Sequence, residues 1–191
     1  MNTFFLIVLG QIISLFGNAI LRFSLSLHVL SLTGSAAVFG SILALAMVPT
    51  VLLSPLGGVL ADRLPRQRIM VALDFFTCGL ILCFDLFFAR SGSLGAITAF
   101  LILLSLIQAV YQPSVQASIP SLAAEEALMA ANGVVVQVQA LSGLLGPILG
   151  GVLYAAFGLY PLLAGSALCL LLLAGIRIVI MLTFGGELGW M

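Results

Sequence analysis

The chain has 191 residues, of which 63% are hydrophobic and 6% charged, and its six basic and six acidic side chains cancel. A water-facing domain carries about a quarter charged residues, so the solvent here is mostly lipid and the chain reads as an all-α integral membrane protein. Zero net charge excludes nucleic acid as a partner, because phosphate binding needs a basic face.

A helix crosses the hydrocarbon core with about 20 apolar residues, and six stretches qualify. Helix 1 covers 3–30; no basic segment precedes it and no small-residue cleavage site follows, so it reads as retained and not as a removed signal. Helix 2 covers 36–61 and is followed by the charged loop 62–68, with Asp62, Arg63, Arg66 and Arg68. Helix 3 covers 69–89 and helix 4 covers 94–116. A polar link, 117–131, carries Pro120, Glu125 and Glu126 ahead of helix 5 at 132–157. The turn Gly158–Pro161 leads into helix 6 at 162–184, so the six-helix unit occupies 1–184 and a short atypical tail fills 185–191.

Six crossings bring both termini to one side. Arginines gather in short cytoplasmic loops, so the helix 2–3 loop, the 4–5 link and both termini are expected to face the cytoplasm, with Arg90 on the other side.

Two internal matches point to a 3+3 repeat. Pro55-Leu-Gly-Gly-Val-Leu60 at the end of helix 2 is echoed by Pro147-Ile-Leu-Gly-Gly-Val-Leu153 in helix 5, with Gly57 and Gly150 separated by 93 residues. Gln11, Ser14, Asn18 and Arg22 on helix 1 share their spacing of 3, 4 and 4 with Ser105, Gln108, Gln112 and Gln116 on helix 4, at an offset of 94. Such spacing keeps each set on one helical face. Two inverted three-helix units are the pattern of each half of many secondary transporters.

Polar groups within a membrane are costly and face protein or a water-filled cavity. Gln11, Asn18, Arg22, Gln108 and Gln112 are therefore candidates to line a substrate path, the alternative being hydrogen-bond glue between helices; for Arg22 a further alternative is snorkelling toward the surface. Asp74 and Asp85 on helix 3 are three turns apart and share a face. They are candidates for proton coupling, since burial favours the protonated carboxyl, with solvation or structural pairing as the alternative. Cys78, Cys83 and Cys169 fall in apolar runs without metal spacing and read as packing residues. No metal site is expected, and no nucleophile–base set appears, so the chain does not read as an enzyme.

The segment Gly58–Arg68, GVLADRLPRQR, resembles the helix 2–3 loop of the major facilitator superfamily, G-x-x-x-D-R-x-G-R-[KR]-[KR]. Gly58, Asp62, Arg63, Arg66 and Arg68 match; Pro65 and Gln67 depart from it. Gly58 would allow close backbone approach near the helix end, and Asp62 would pair with arginines in a latch between transporter halves. Gly133, Gly146, Pro147, Gly150 and Gly151 resemble the glycine–proline motif of helix 5 in the family's exporters, with Ser142 at one glycine position. Shorter segments, among them Gly10-Gln11, Thr33-Gly34-Ser35-Ala36 and Ala131-Asn132-Gly133, resemble the bacterial macrolide-efflux and siderophore-exporter branch of drug/proton antiporters.

The resemblance implies a bacterial inner-membrane protein exporting amphipathic small molecules on the proton gradient, without a bound cofactor. It covers only an N-terminal half. Transport is thus expected to need a second six-helix half, as a separate chain or in a homodimer. The alternative is a truncated or assembly-only membrane protein without transport of its own.

Overall fold

The computed structural model describes the backbone of residues 2–63, 66–88, 92–118 and 128–184. Side chains are described within 10–59, 68–88, 92–116 and 133–179, apart from residues 11 and 135. Six helices follow one another: α1 (Asn2–Thr33), α2 (Ala36–Arg63), α3 (Arg66–Phe87), α4 (Leu94–Ser118), α5 (Leu128–Phe157) and α6 (Leu159–Phe184). Each contains a stretch of 20 to 24 residues apolar enough to cross a bilayer. In hydrocarbon every backbone donor and acceptor must be satisfied within the segment, which is why an apolar chain of this length folds as helices.

The ends of the helices differ from expectation where polar residues are good helix formers. α2 continues to Arg63 and α3 begins at Arg66, so most of the expected 62–68 loop is helical. Arginine and glutamine favour helix, so a polar segment need not unwind the chain. α5 starts at Leu128, because Leu128-Met-Ala-Ala131 propagates a helix well. α6 starts at Leu159, with Pro161 in its first turn, where a missing N–H leaves no hydrogen bond unmade.

The turns have local causes. Gly34 (φ 63°) and Gly158 (φ 76°) adopt the left-handed conformation, and each N–H returns to the carbonyl four residues back, Leu30 at 2.8 Å and Tyr154 at 2.9 Å. This is a glycine C-cap that closes α1 and α5. Ser35 and Ser93 then cap α2 and α4 through their hydroxyls, accepting from Val38 N and Ala96 N.

Packing follows a pseudo-twofold. α1 packs on α5 and α6, α4 packs on α2 and α3, and α3 packs on α6. Exchanging α1 with α4, α2 with α5 and α3 with α6 reproduces the same pairs. Three crossings per unit make the second unit enter from the opposite side, so the repeat is inverted. The core lies among α1, α3, α4 and α6, around Leu21, Leu25, Ile81, Leu101 and Leu163, with Phe84 and Phe100 stacked at 4.3 Å.

Two helices, α2 and α5, stay at the margin. Only 11% of the α2 span and 17% of the α5 span is buried inside the chain, against 33–44% of the other four. Met47, Val51, Leu52 and Leu56 on α2, and Val136, Leu144, Ile148 and Val152 on α5, are exposed.

Candidate functional site: a mid-membrane polar cleft

An open cleft of about 380 Å³ lies between α1, α2, α4 and α5. That volume is within the range of small-molecule sites. Asn18 and Arg22 reach it from α1, Gln108 and Gln112 from α4, and Gln139 and Ser142 from α5. Leu15, Phe23, Leu43, Met47 and Pro147 supply its apolar wall.

The two polar stripes meet here. Arg22 Nη2 donates to Ser105 Oγ at 2.6 Å, joining α1 to α4. Ser105 Oγ donates to Leu101 O (2.9 Å), and Thr50 of α2 donates to Ser105 O (3.2 Å), so the serine is held on three sides. Gln108 Nε2 donates to Gln112 Oε1 at 3.3 Å, and Asn18 Nδ2 to Ser14 O at 2.9 Å. Ser14 itself turns inward and is buried, while Gln116 is exposed; the side chain of Gln11 lies outside the described residues. Arg22 sits near the centre of the Ile12–Thr33 span, where an arginine costs about 2.5–3.5 kcal/mol on insertion scales.

The glycine–proline segment of α5 builds the wall opposite α4. A Cβ on Gly146 would strike the Ala19 side chain, and one on Gly150 would lie 3.0 Å from Ile20 O. Ser24 Oγ donates to Gly150 O at 3.2 Å. Gly151 has ordinary contacts with Leu27 and Phe23, and Gly133 is exposed with open space around it. Pro147 lies inside the helix and on the cleft.

The close approach expected at Gly58 occurs one residue earlier. A Cβ on Gly57 would collide with Ala109 O of α4, whereas Gly58 has nothing within 4 Å. One residue rotates the helix by about 100°, enough to turn Gly58 off the α4 contact. The internal repeat carried this signal, since it aligns Gly57, not Gly58, with Gly150. Arg68 is exposed at the start of α3; the side chains of Asp62, Arg63 and Arg66 lie outside the described residues.

The two carboxylates of α3 have different fates. Asp74 is buried and accepts from Arg177 Nη1 at 2.5 Å. Arg177 Nη2 donates to the Tyr111 hydroxyl at 2.9 Å, and that hydroxyl donates to Ser14 Oγ at 3.2 Å. One buried chain thus links α3, α6, α4 and α1. Asp85, about 16 Å further along the helix, is partly exposed and has no ion-pair partner among the described residues. Arg177, Tyr111 and Gln139 escaped the sequence reading. Arg177 and Asp74 were the pair to seek, because a charge inside an apolar run needs a counter-charge. At the other end of α1, His28 Nδ1 and Ser31 Oγ each lie 3.0 Å from the Tyr154 hydroxyl of α5.

Comparison with known proteins places this geometry. The chain is 29% identical to Macrolide efflux protein A of Streptococcus pyogenes, over 92% of its own length and 44% of that protein. It matches the protein of the same name from S. pyogenes serotype M6 to the same extent. The chain therefore spans less than half the length of these relatives. No solved structure matches it. The family described as Major Facilitator Superfamily matches residues 7–187, nearly the whole inverted six-helix unit, and with the 3+3 packing and the cleft already in view, the chain belongs to the major facilitator superfamily.

Proposed function

We propose that this chain is one half of an efflux transporter that exports amphipathic small molecules, with the α1–α2–α4–α5 cleft as its part of the substrate path. The observation that carries this reading is a cleft that reaches the middle of the α1 span at Arg22, carries Asn18, Gln108, Gln112, Gln139 and Ser142 on an otherwise apolar wall, and is flanked by the two least buried helices. Polar lining at that depth is costly unless it meets water or a ligand. A second six-helix half seated on α2 and α5 would close the cleft into a central path. The arginines at the α2–α3 junction orient the unit with both termini in the cytoplasm of a bacterial inner membrane. Asp62 and the arginines beside it act as the latch between halves. The proton gradient drives export; Asp85 is the freer of the two α3 carboxylates to carry a proton, while Asp74 is held by Arg177.

The test is accumulation of a radiolabelled macrolide in cells expressing this chain alone or with a second half, with insertion confirmed. Lower accumulation only when both halves are present, reversed by a protonophore, is expected. Unchanged accumulation in both cases would sink the transport reading. Export that survives the protonophore would remove proton coupling alone.

A further inference from the structure

The cleft has an electrostatic character that its use in efflux does not explain. Arg22 reaches it near the middle of the α1 span, and its one described hydrogen bond goes to the neutral Ser105 hydroxyl. Among the described residues the single ion pair is Arg177–Asp74, so no described carboxylate neutralises Arg22. None of the described residues lining the cleft is acidic. A guanidinium carries five N–H donors in a planar fork, and one serine leaves most of that fork unfilled. Gln139 lines the same cleft from α5, and its Nε2 is a buried donor without a partner. Gln108 Nε2 donates to Gln112 Oε1, a bond that does not use the Gln112 amide nitrogen, so α4 also brings a donor to the cleft.

Resting on the reading of this cleft as a substrate path, we propose that it binds amphipathic molecules through a carboxylate or similar planar oxyanion, held by Arg22. The fork of arginine matches the two oxygens of a carboxylate. Leu15, Phe23, Leu43 and Met47 face the apolar body of such a molecule. In this half alone a cationic amphiphile meets Arg22 with no described acid between them, so a charged amine needs an acid of the second half to bind as well.

The experiment uses the 191-residue chain in lipid nanodiscs and three probes with one aromatic body: 9-anthracenecarboxylate, 9-anthracenemethanol and 9-(aminomethyl)anthracene. Binding is read by equilibrium dialysis against empty nanodiscs. The carboxylate is expected to bind at least about tenfold more tightly than the alcohol, and the amine more weakly than both. Arg22→Gln should abolish the preference for the carboxylate while leaving the alcohol's affinity within about threefold, and Arg22→Lys should retain part of it. Equal binding of the three probes, tightest binding of the amine, or an intact preference in a folded Arg22→Gln would each overturn the proposal. If Arg22→Gln does not fold, the wild-type probe series decides by itself.

A second arm repeats the series with a second half assembled on the chain. Loss of the preference on assembly, restored by neutralising one acidic residue of that half, would assign the carboxylate to the partner and refute the substrate role. Macrolide export with no carboxylate preference would reject this inference and leave the transport reading standing. Absence of export in the accumulation assay rejects the transport reading by itself.

Discussion

Removing Asp74 should harm the fold more than removing its partner Arg177. The pair is buried, with both side chains at most 4% exposed, and the guanidinium also donates to Tyr111. Stripping one partner from a buried pair costs about 3–5 kcal/mol in proteins generally. Asp74 is six residues into the Arg68–Phe87 span, about 9 Å from its end, so the lower part of that range applies. Asp74→Leu leaves a guanidinium that cannot lose its charge and should cost about 3 kcal/mol, roughly a hundredfold in the folding equilibrium. Arg177→Met leaves a carboxylate, which can take up a proton instead of remaining charged, and should cost about 1–2 kcal/mol. The double substitution restores an apolar contact and should fall below the sum of the two single costs. Reversible unfolding of purified protein in mixed micelles titrated with SDS, followed by circular dichroism at 222 nm, measures all three. Equal costs, the reverse order, or strict additivity would refute the argument that an uncompensated guanidinium dominates.

Gly57→Ala should destabilise the α2–α4 contact by about 1–3 kcal/mol through overpacking against the Ala109 carbonyl, while Gly58→Ala changes stability by less than about 0.5 kcal/mol; the same SDS titration reads both. Gly146→Ala should be destabilising by a similar mechanism, and Ala19→Gly in the same chain should recover most of the loss, since the clash is with the Ala19 side chain. Tyr154→Phe removes the hydroxyl bridging His28 and Ser31 and should cost about 0.6–1 kcal/mol, as interhelical hydrogen bonds in membranes do. In a chain cleared of its three cysteines, a cysteine at Arg68 should react with an impermeant maleimide only from the cytoplasmic face, and one at Ser93 only from the outside; the opposite pattern would reverse the proposed orientation.

The helices were legible because a continuous apolar run in a chain this poor in charge has one viable structure in lipid. The meeting of the polar stripes was legible too. Equal spacing on helices 1 and 4 placed Asn18, Arg22, Gln108 and Gln112 on faces that share a cleft. What could not be read was which side chains satisfy one another. Ser14 belongs to a cleft stripe by spacing, yet it bonds the buried Tyr111, because a helix face about 100° wide serves two neighbours at once. Gln139 carried no periodic signal, and its place on the cleft depends on how α5 leans against α1 through Gly146 and Gly150. A one-residue error at Gly58 arose because a motif match gives residue identity and not the azimuth of the contact. The repeat, which fixes azimuth through a second helix pair, pointed to Gly57.

If the chain works as the proposed half-transporter, the bare flanks of α2 and α5 bear on how a cell would tell an unassembled half from an assembled one. Lipid tails are as apolar as leucine, so an apolar flank that packs on a partner does not differ, to the bilayer, from one meant for lipid. Aggregation through that flank gains little, and a half can wait in the membrane without precipitating. The mark of an unpaired half would instead be the guanidinium of Arg22, which reaches an open cleft beside that flank. A membrane chaperone or intramembrane protease that patrols for orphaned subunits would have to recognise polarity where oil is expected, and Arg22 is where it would look.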